Sequence, residues 1–380
     1  MILAGVGLIV ACGSGAPPAE TGDGSGLQAP RFEVDPLWPK PLPNGWVLGQ
    51  TIGVSVGADD HVWVLHRPQS VEDNLKAAAL TPPLGRCCTP APPVLEFDPD
   101  GNLVGHWGGP GGDYEWPVSN HGITVDHNGH VWIGGNDEKD TQVLKFTRDG
   151  RFLLQIGRQG THDGSNDTEH LWRAAKVAVD PAANEAYIAD GYGNRRVIVF
   201  DADTGEYKRH WGAYGARPDD GDIGEYDPAA PPAKQFRTVH CVTLSNDGLV
   251  YVCDRVNNRV QVFRRDGTFV TEATFEPATR GAGAVWDMAL SRDPEETYIY
   301  MVDGLNERVR VVRRESLEVL TTFGGGGRQP GQFYGVHNVA TDSSGNLYTT
   351  ETFTGARVQR FIYRGIEEVE REQGVVWPER

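Results

Sequence analysis

The sequence predicts an all-β chain folded as a six-bladed β-propeller, and three observations carry that prediction. A β-rich segment recurs six times, each of the five regular copies ends its first run at Asp or Ser before a turn, and turn formers are abundant. There are 48 Gly and 25 Pro in 380 residues, about a fifth of the chain, without a Gly-X-Y period. A packed core is within reach, because 39% of residues are hydrophobic and 10 Trp, 12 Tyr and 13 Phe are present, enough apolar surface to offset chain entropy. The balance of 35 Lys+Arg against 52 Asp+Glu gives a net charge of −17. Basic residues never run longer than a pair, so the electrostatic footprint for a phosphate backbone is missing and nucleic acid is not an expected partner.

In chain order, residues 1–11 form an apolar stretch too short to span a bilayer and suited to a signal-peptide core. The run Ile9-Val10-Ala11-Cys12 resembles a bacterial lipobox, which implies lipidation of Cys12; the alternative is a plain secretory signal. Residues 12–30, rich in Gly, Ser and Pro, read as a flexible tether. Both readings export the chain, to a bacterial cell envelope reached through a lipid anchor in the first case. Export makes the other four cysteines disulfide candidates. Cys241 and Cys253 flank the turn Ser245-Asn-Asp-Gly248 at mirror positions, so a hairpin places them face to face, as a cross-strand bridge or as two buried thiols. Cys87 and Cys88 are adjacent in a Pro-rich loop and form either a vicinal disulfide or two loop thiols.

The propeller is expected over residues 31–361. Its copies start at 52, 121, 175, 240, 286 and 337, near the roughly 40–50-residue period of a four-stranded blade with variable loops. Further strands with Gly-containing ends (103–109, 152–158, 207–213, 319–325) complete the blades. Arg31–Asp35 supplies a strand to close the ring on the last blade, and residues 362–380 read as a peripheral charged tail. The strings Asp254-Arg-Val-Asn-Asn-Arg259-Val260 and Asp303-Gly-Leu-Asn-Glu-Arg308-Val309 resemble the NHL repeat family, which implies the fold and little about function.

Aligning the copies places Ile52, His121, Ala175, His240, Trp286 and His337 in one column. Histidine occupies alternate blades, 120° apart in a six-bladed ring, at the start of the strand lining the central channel. Three imidazoles converging on the axis make a metal site with an open position, the pattern of catalytic zinc. The bland alternative is three hydrogen-bonded histidines in a wet channel. By the same alignment His61, His66, His127, His130, His162 and His170 fall in turns or loops.

The strings His121-Gly-Ile-Thr-Val-Asp126, Asp190-Gly-Tyr192-Gly-Asn-Arg195, Thr238-Val-His240, Asp254-Arg255, Leu65-His66-Arg67 and Val336-His337 resemble the peptidyl-α-hydroxyglycine α-amidating lyase family. The resemblance implies zinc on His121, His240 and His337, a catalytic tyrosine at Tyr192 and active-site arginines at Arg67 and Arg255. A phenol is a weak base at neutral pH unless nearby positive charge favours the phenolate; a divalent metal and two guanidinium groups supply that charge. Tyr192 would then take the hydroxyl proton of a carbinolamide as the C–N bond breaks to amide and glyoxylate, with Arg67 or Arg255 on the carboxylate. Without the family, Tyr192 reads as a turn aromatic and Arg255 as a brace of its own blade.

Two departures stand out. The family has Asp after its last zinc histidine, contributing with two backbone carbonyls to a calcium site; this chain has Asn338, with Val54 and Ile123 at the carbonyl positions, and the lost charge weakens any calcium site. Gly193 stands where animal members carry a disulfide cysteine. The sequence also contains nothing resembling the copper monooxygenase that makes hydroxyglycine, so another carboxylated small molecule or peptide remains open as substrate. A monomer is expected. The competing readings are a calcium-dependent lactonase-type propeller hydrolase, against which the histidine column argues, and a non-catalytic NHL protein that binds a partner through the acidic loop 213–233.

Overall fold

Six four-stranded antiparallel sheets surround a central channel in the computed structural model, which describes residues 26–378. The signal-peptide and Cys12 expectations lie outside the described residues, as does most of the tether. Blade one contains Thr51–Val56, Val62–His66, Val94–Phe97 and Leu103–Trp107; blade two contains Asn120–Val125, Val131–Gly135, Gln142–Phe146 and Phe152–Gly157. The remaining innermost strands are Lys176–Asp180, Val239–Leu244, Asp287–Leu290 and Val336–Thr341. The six-bladed expectation holds.

Burial explains the sequence pattern within each blade. Second strands are covered on both faces by neighbouring blades, so Val62–His66, Val131–Gly135 and Glu185–Asp190 are buried throughout. Outer strands meet solvent on one face, and Leu103–Trp107 alternates accordingly. Trp63, Trp132, Tyr187 and Tyr348 fill the spaces between blades.

The Asp and Arg of the repeat signature are a buried brace. Asp190 accepts from Nε of Arg196 at 2.8 Å and from the backbone of Trp172, and Asp254 accepts from Nε of Arg259 at 2.8 Å and from the backbone of Arg237. Each pair ties a hairpin to the incoming loop, and full satisfaction lets a buried charge persist. Blade five differs: Asp303 pairs with Arg310 at 2.6 Å, while Arg308, opposite it in register, turns to Glu372.

The ring closes through the N-terminal strand Gln28–Asp35, which pairs antiparallel with Arg357–Glu368 of blade six. Closure at Arg31–Asp35 is therefore correct, but the pairing extends beyond both expected limits, since the strand continues past Phe361 with Arg364, Ile366 and Glu368 exposed in alternation. The tail is docked rather than peripheral. Thr322 N donates to Arg371 O, Gly324 N to Gly374 O, and Val34 N to Val376 O, with the Val376 side chain buried.

Both disulfides form. Cys241 and Cys253 are directly paired in register with Cα atoms 4.9 Å apart, and Cys87 bridges Cys88. Bridges of this kind are expected of an exported chain. No helix among the described residues is long and apolar enough to cross a membrane.

Candidate metal centre and active site

His121, His240 and His337 meet at one end of the channel, with ring centroids 4.9–5.2 Å apart and ring planes 72–87° to one another. Each sits where its inner strand slips register against the next, between His121 and Ile123, Val239 and Cys241, and Val336 and Asn338. Such β-bulges re-aim a side chain, here into the axis. Gly122 makes the first bulge feasible: its φ is +69°, and a Cβ there would lie 2.2 Å from Ala175 O.

The outer nitrogens are occupied. His121 Nδ1 is 2.9 Å from Ala175 O, His240 Nδ1 is 2.5 Å from Trp286 O, and His337 Nδ1 is 2.5 Å from Asn338 Oδ1. Donation from Nδ1 leaves the Nε2 lone pair for a ligand. Burial holds His121 and His240 well below the ordinary imidazole pKa and His337 at about 3, with nearby Arg255 adding to the effect. The three rings are therefore neutral, with ligating atoms within 4.8 Å of one another. The donor set fits a metal ion of zinc's preference, three imidazole nitrogens with further positions open.

Tyr192 lies directly over this cluster. Its hydroxyl is 3.1 Å from His121 Nε2 and 2.8 Å from His240 Nε2, and it accepts from Arg255 Nη1 at 3.0 Å. The Arg255 guanidinium also stacks over the rings of Tyr192 and Trp286, 5.0 Å from each, while its Nε is buried without a partner. Arg67 is held differently: Nε donates to Asn120 O, Nη1 to Gln50 Oε1 and Nη2 to Asn136 Oδ1. The structure thus gathers every expected zinc and catalytic residue, and separates Arg67, whose three nitrogens each donate to protein, from Arg255, whose Nε has no partner.

Sequence reasoning missed Arg173. It donates from Nε to Asn136 O and lies over Tyr192, 5.8 Å from the ring centroid, adding a third guanidinium. It belongs to a loop between blades, where the repeat alignment has no column. Gly193, at the position of the animal cysteine, packs on the face of Trp172; a Cβ there would meet the indole at 2.4 Å. The loop 213–233 is fastened through Arg237, whose guanidinium donates to the carbonyls of Ile223, Gly224 and Glu225.

The residues at the expected calcium position do not fit that ion. Asn338 Oδ1 already accepts from His337, and Asn338 Nδ2 donates to Asp287. The Asp287 carboxylate is held by the Lys176 ammonium at 2.5 Å. Val54, Ile123 and Lys176 all line an axial cavity of about 360 Å³ below the histidines. Calcium sites draw their affinity from carboxylate ligands, and here the carboxylate already has its cation.

His66 corrects another expectation, since it ends the strand Val62–His66 instead of lying in a turn. Gly49 N donates to its Nδ1 at 3.1 Å and its Nε2 bonds Pro92 O at 2.9 Å, which fastens the chain on both sides of Arg67. Burial lowers its pKa to about 4. Because the folded value is below the unfolded one near 6.5, the folded form binds fewer protons between them, and stability is lost as pH falls through that window. The full contribution is about 3 kcal/mol. Urea titrations from pH 7 to 4 should show a shallower acid decline for His66→Gln than for wild type; equal declines would remove His66 from the account.

The NHL repeat family matches residues 236–263. The chain is 31% identical over 167 residues to peptidyl-glycine α-amidating monooxygenase B of Xenopus laevis, covering 43% of this chain and 17% of the frog protein. It is 27% identical over 251 residues to peptidyl-α-hydroxyglycine α-amidating lyase 2 of Drosophila melanogaster, covering 63% of this chain and 53% of the fly protein. The chain thus spans about half or less of these relatives. A streptogramin B lyase structure superimposes with a TM-score of 0.51 at 11% identity, over 88% of this chain and 98% of that one, a likeness of fold alone. The chain is a six-bladed β-propeller carrying an NHL repeat, homologous at modest identity to the peptidyl-α-hydroxyglycine α-amidating lyases.

Proposed function

We propose that this protein is a zinc-dependent carbon–nitrogen lyase that cleaves an α-hydroxyglycine-type carbinolamide, R-CO-NH-CH(OH)-COO⁻, to the amide R-CO-NH₂ and glyoxylate. The observation that carries the reading is Tyr192, whose hydroxyl lies within hydrogen-bonding distance of two metal-facing imidazoles and of Arg255. Zinc held by His121, His240 and His337 would act as a Lewis acid toward a substrate oxygen.

The chain's own groups account for the proton transfers. Arg255 donates to the Tyr192 hydroxyl, and the Arg255 and Arg173 guanidinium groups lie over its ring. As the general base, Tyr192 accepts the substrate hydroxyl proton, the O–H electron pair becomes the second bond of the aldehyde, and the C–N pair leaves on nitrogen. Tyr192 then returns the proton to that nitrogen, so atoms and charge balance. The free donors of Arg255 suit the substrate carboxylate, for which a guanidinium fork is well shaped. Arg67, with all three nitrogens engaged, supplies charge and holds the loops in place.

The substrate is accordingly a carboxylated small molecule or peptide. Glyoxylate release from a hydroxyglycine-terminated peptide and from a small acyl-hydroxyglycine tests the reaction: turnover of either bears it out, and zinc-loaded protein inert on both discards this substrate class. The proposal extends to location. The run Ile9–Cys12 motivates a lipid anchor in a bacterial envelope, so Cys12→Ser should move the protein from membranes to the soluble exported fraction. A wild-type protein already soluble after export contradicts the anchor.

A further inference from the structure

The three axial histidines present the same nitrogen to the centre but are oriented by different means. For His121 and His240 the Nδ1 partner is a backbone carbonyl, which can only accept, so the tautomer is fixed by the fold. His337 faces the side-chain amide of Asn338 instead. An amide offers an acceptor at one end and a donor at the other. With its NH₂ toward His337, Nδ1 would have to accept, the hydrogen would move to Nε2, and the third lone pair would be lost from the axis.

The far end of the amide decides between these arrangements. Asn338 Nδ2 donates to Asp287 Oδ2 at 3.0 Å, and the Val339 backbone N–H donates to the same oxygen at 3.2 Å. Asp287 Oδ1 receives the Lys176 ammonium at 2.5 Å. Asp287 is fully buried, and Asn338 and His337 are each 3% exposed. An ionised carboxylate only accepts, so it draws Nδ2 to itself and turns Oδ1 toward His337. A carboxylate this buried needs a countercharge, which arrives from blade three, across the channel.

We propose that Lys176, Asp287 and Asn338 form a polarity relay that holds His337 with its Nε2 lone pair facing the metal position, Lys176 being the built-in cation that makes a second, divalent ion unnecessary there. All three are positioning residues, acting through His337. The inference rests on the three-histidine metal reading but not on the substrate. Loss of an outer-shell partner of a metal-bound histidine typically lowers metal affinity about 10–100-fold.

The test uses full-length protein, zinc affinity by competition with a chromophoric chelator, and the histidine tautomers of the metal-free protein by ¹⁵N NMR. Lys176→Met leaves the buried carboxylate without its cation, so that it is held as the neutral acid, whose O–H can donate to the amide oxygen and let the amide turn. Affinity should fall about 10–100-fold, with an Nε2-protonated form of His337 appearing. Lys176→Arg keeps the charge and should stay close to wild type. Should Lys176→Met fail to fold, Asn338→Leu, which preserves the Lys176–Asp287 pair, should show the same loss of affinity and tautomer. Unchanged affinity and tautomer in whichever of these two variants folds overturns the relay. Excess calcium should leave the wild-type melting temperature unchanged; a calcium-dependent rise, or calcium retained on purification, overturns the role assigned to Lys176. These readouts stand even if no glyoxylate is ever detected, so failure of the relay and failure of the lyase reading remain distinguishable.

Discussion

Tyr192→Phe is expected to retain fold and zinc while losing roughly 10²–10⁴ in turnover of an α-hydroxyglycine substrate, the usual worth of a positioned acid–base group. The substitution deletes one oxygen at the point where two imidazoles and Arg255 converge, and leaves the ring to fill its place between Arg255 and Arg173. KM should stay near wild type, because the carboxylate grip is assigned elsewhere. Arg255→Ala should instead raise KM, and lower turnover as well, since its Nη1 donates to the same hydroxyl. Steady-state glyoxylate assays on metal-quantified protein separate the two. A Tyr192→Phe enzyme with unimpaired turnover would discard the proton-transfer scheme and leave the metal centre standing.

Replacing any one of His121, His240 or His337 by Ala should lower zinc affinity by orders of magnitude, because one of three nitrogen ligands is removed from a cluster that, among the described residues, contains no further His, Cys, Asp or Glu. The propeller should survive. Each ring contributes one Nδ1 hydrogen bond, from His121 and His240 to the start of the next blade and from His337 to its neighbour Asn338, worth about 1 kcal/mol, while the core lies between the blades. Circular dichroism should therefore match wild type as metal content collapses. Full zinc occupancy in two of the three variants contradicts the ligand assignment.

The architecture was legible because each blade repeats one pattern and the ring leaves few other ways to bury it. The histidine column was legible for a related reason, since alternation in a six-fold ring converts sequence period into spatial convergence. The bulges that aim those rings were not, because a register slip at His121, His240 and His337 leaves no compositional mark beyond Gly122. Lys176 and Asp287 lie 111 residues apart in sequence and meet only because the inner strands of their blades, two apart in the ring, both line the channel. Arg173 and the docked tail were missed because neither belongs to a repeat column. His66 was misplaced because its strand extends to the very edge of the loop that carries Arg67.

The central claim is that three imidazoles on the propeller axis hold one catalytic metal. Elemental mass spectrometry of purified wild-type protein tests it most directly, with His240→Ala prepared in parallel. About one zinc per wild-type chain is expected, with little in the variant and no calcium. Calcium without zinc, or no metal in protein reconstituted with excess zinc, would contradict it.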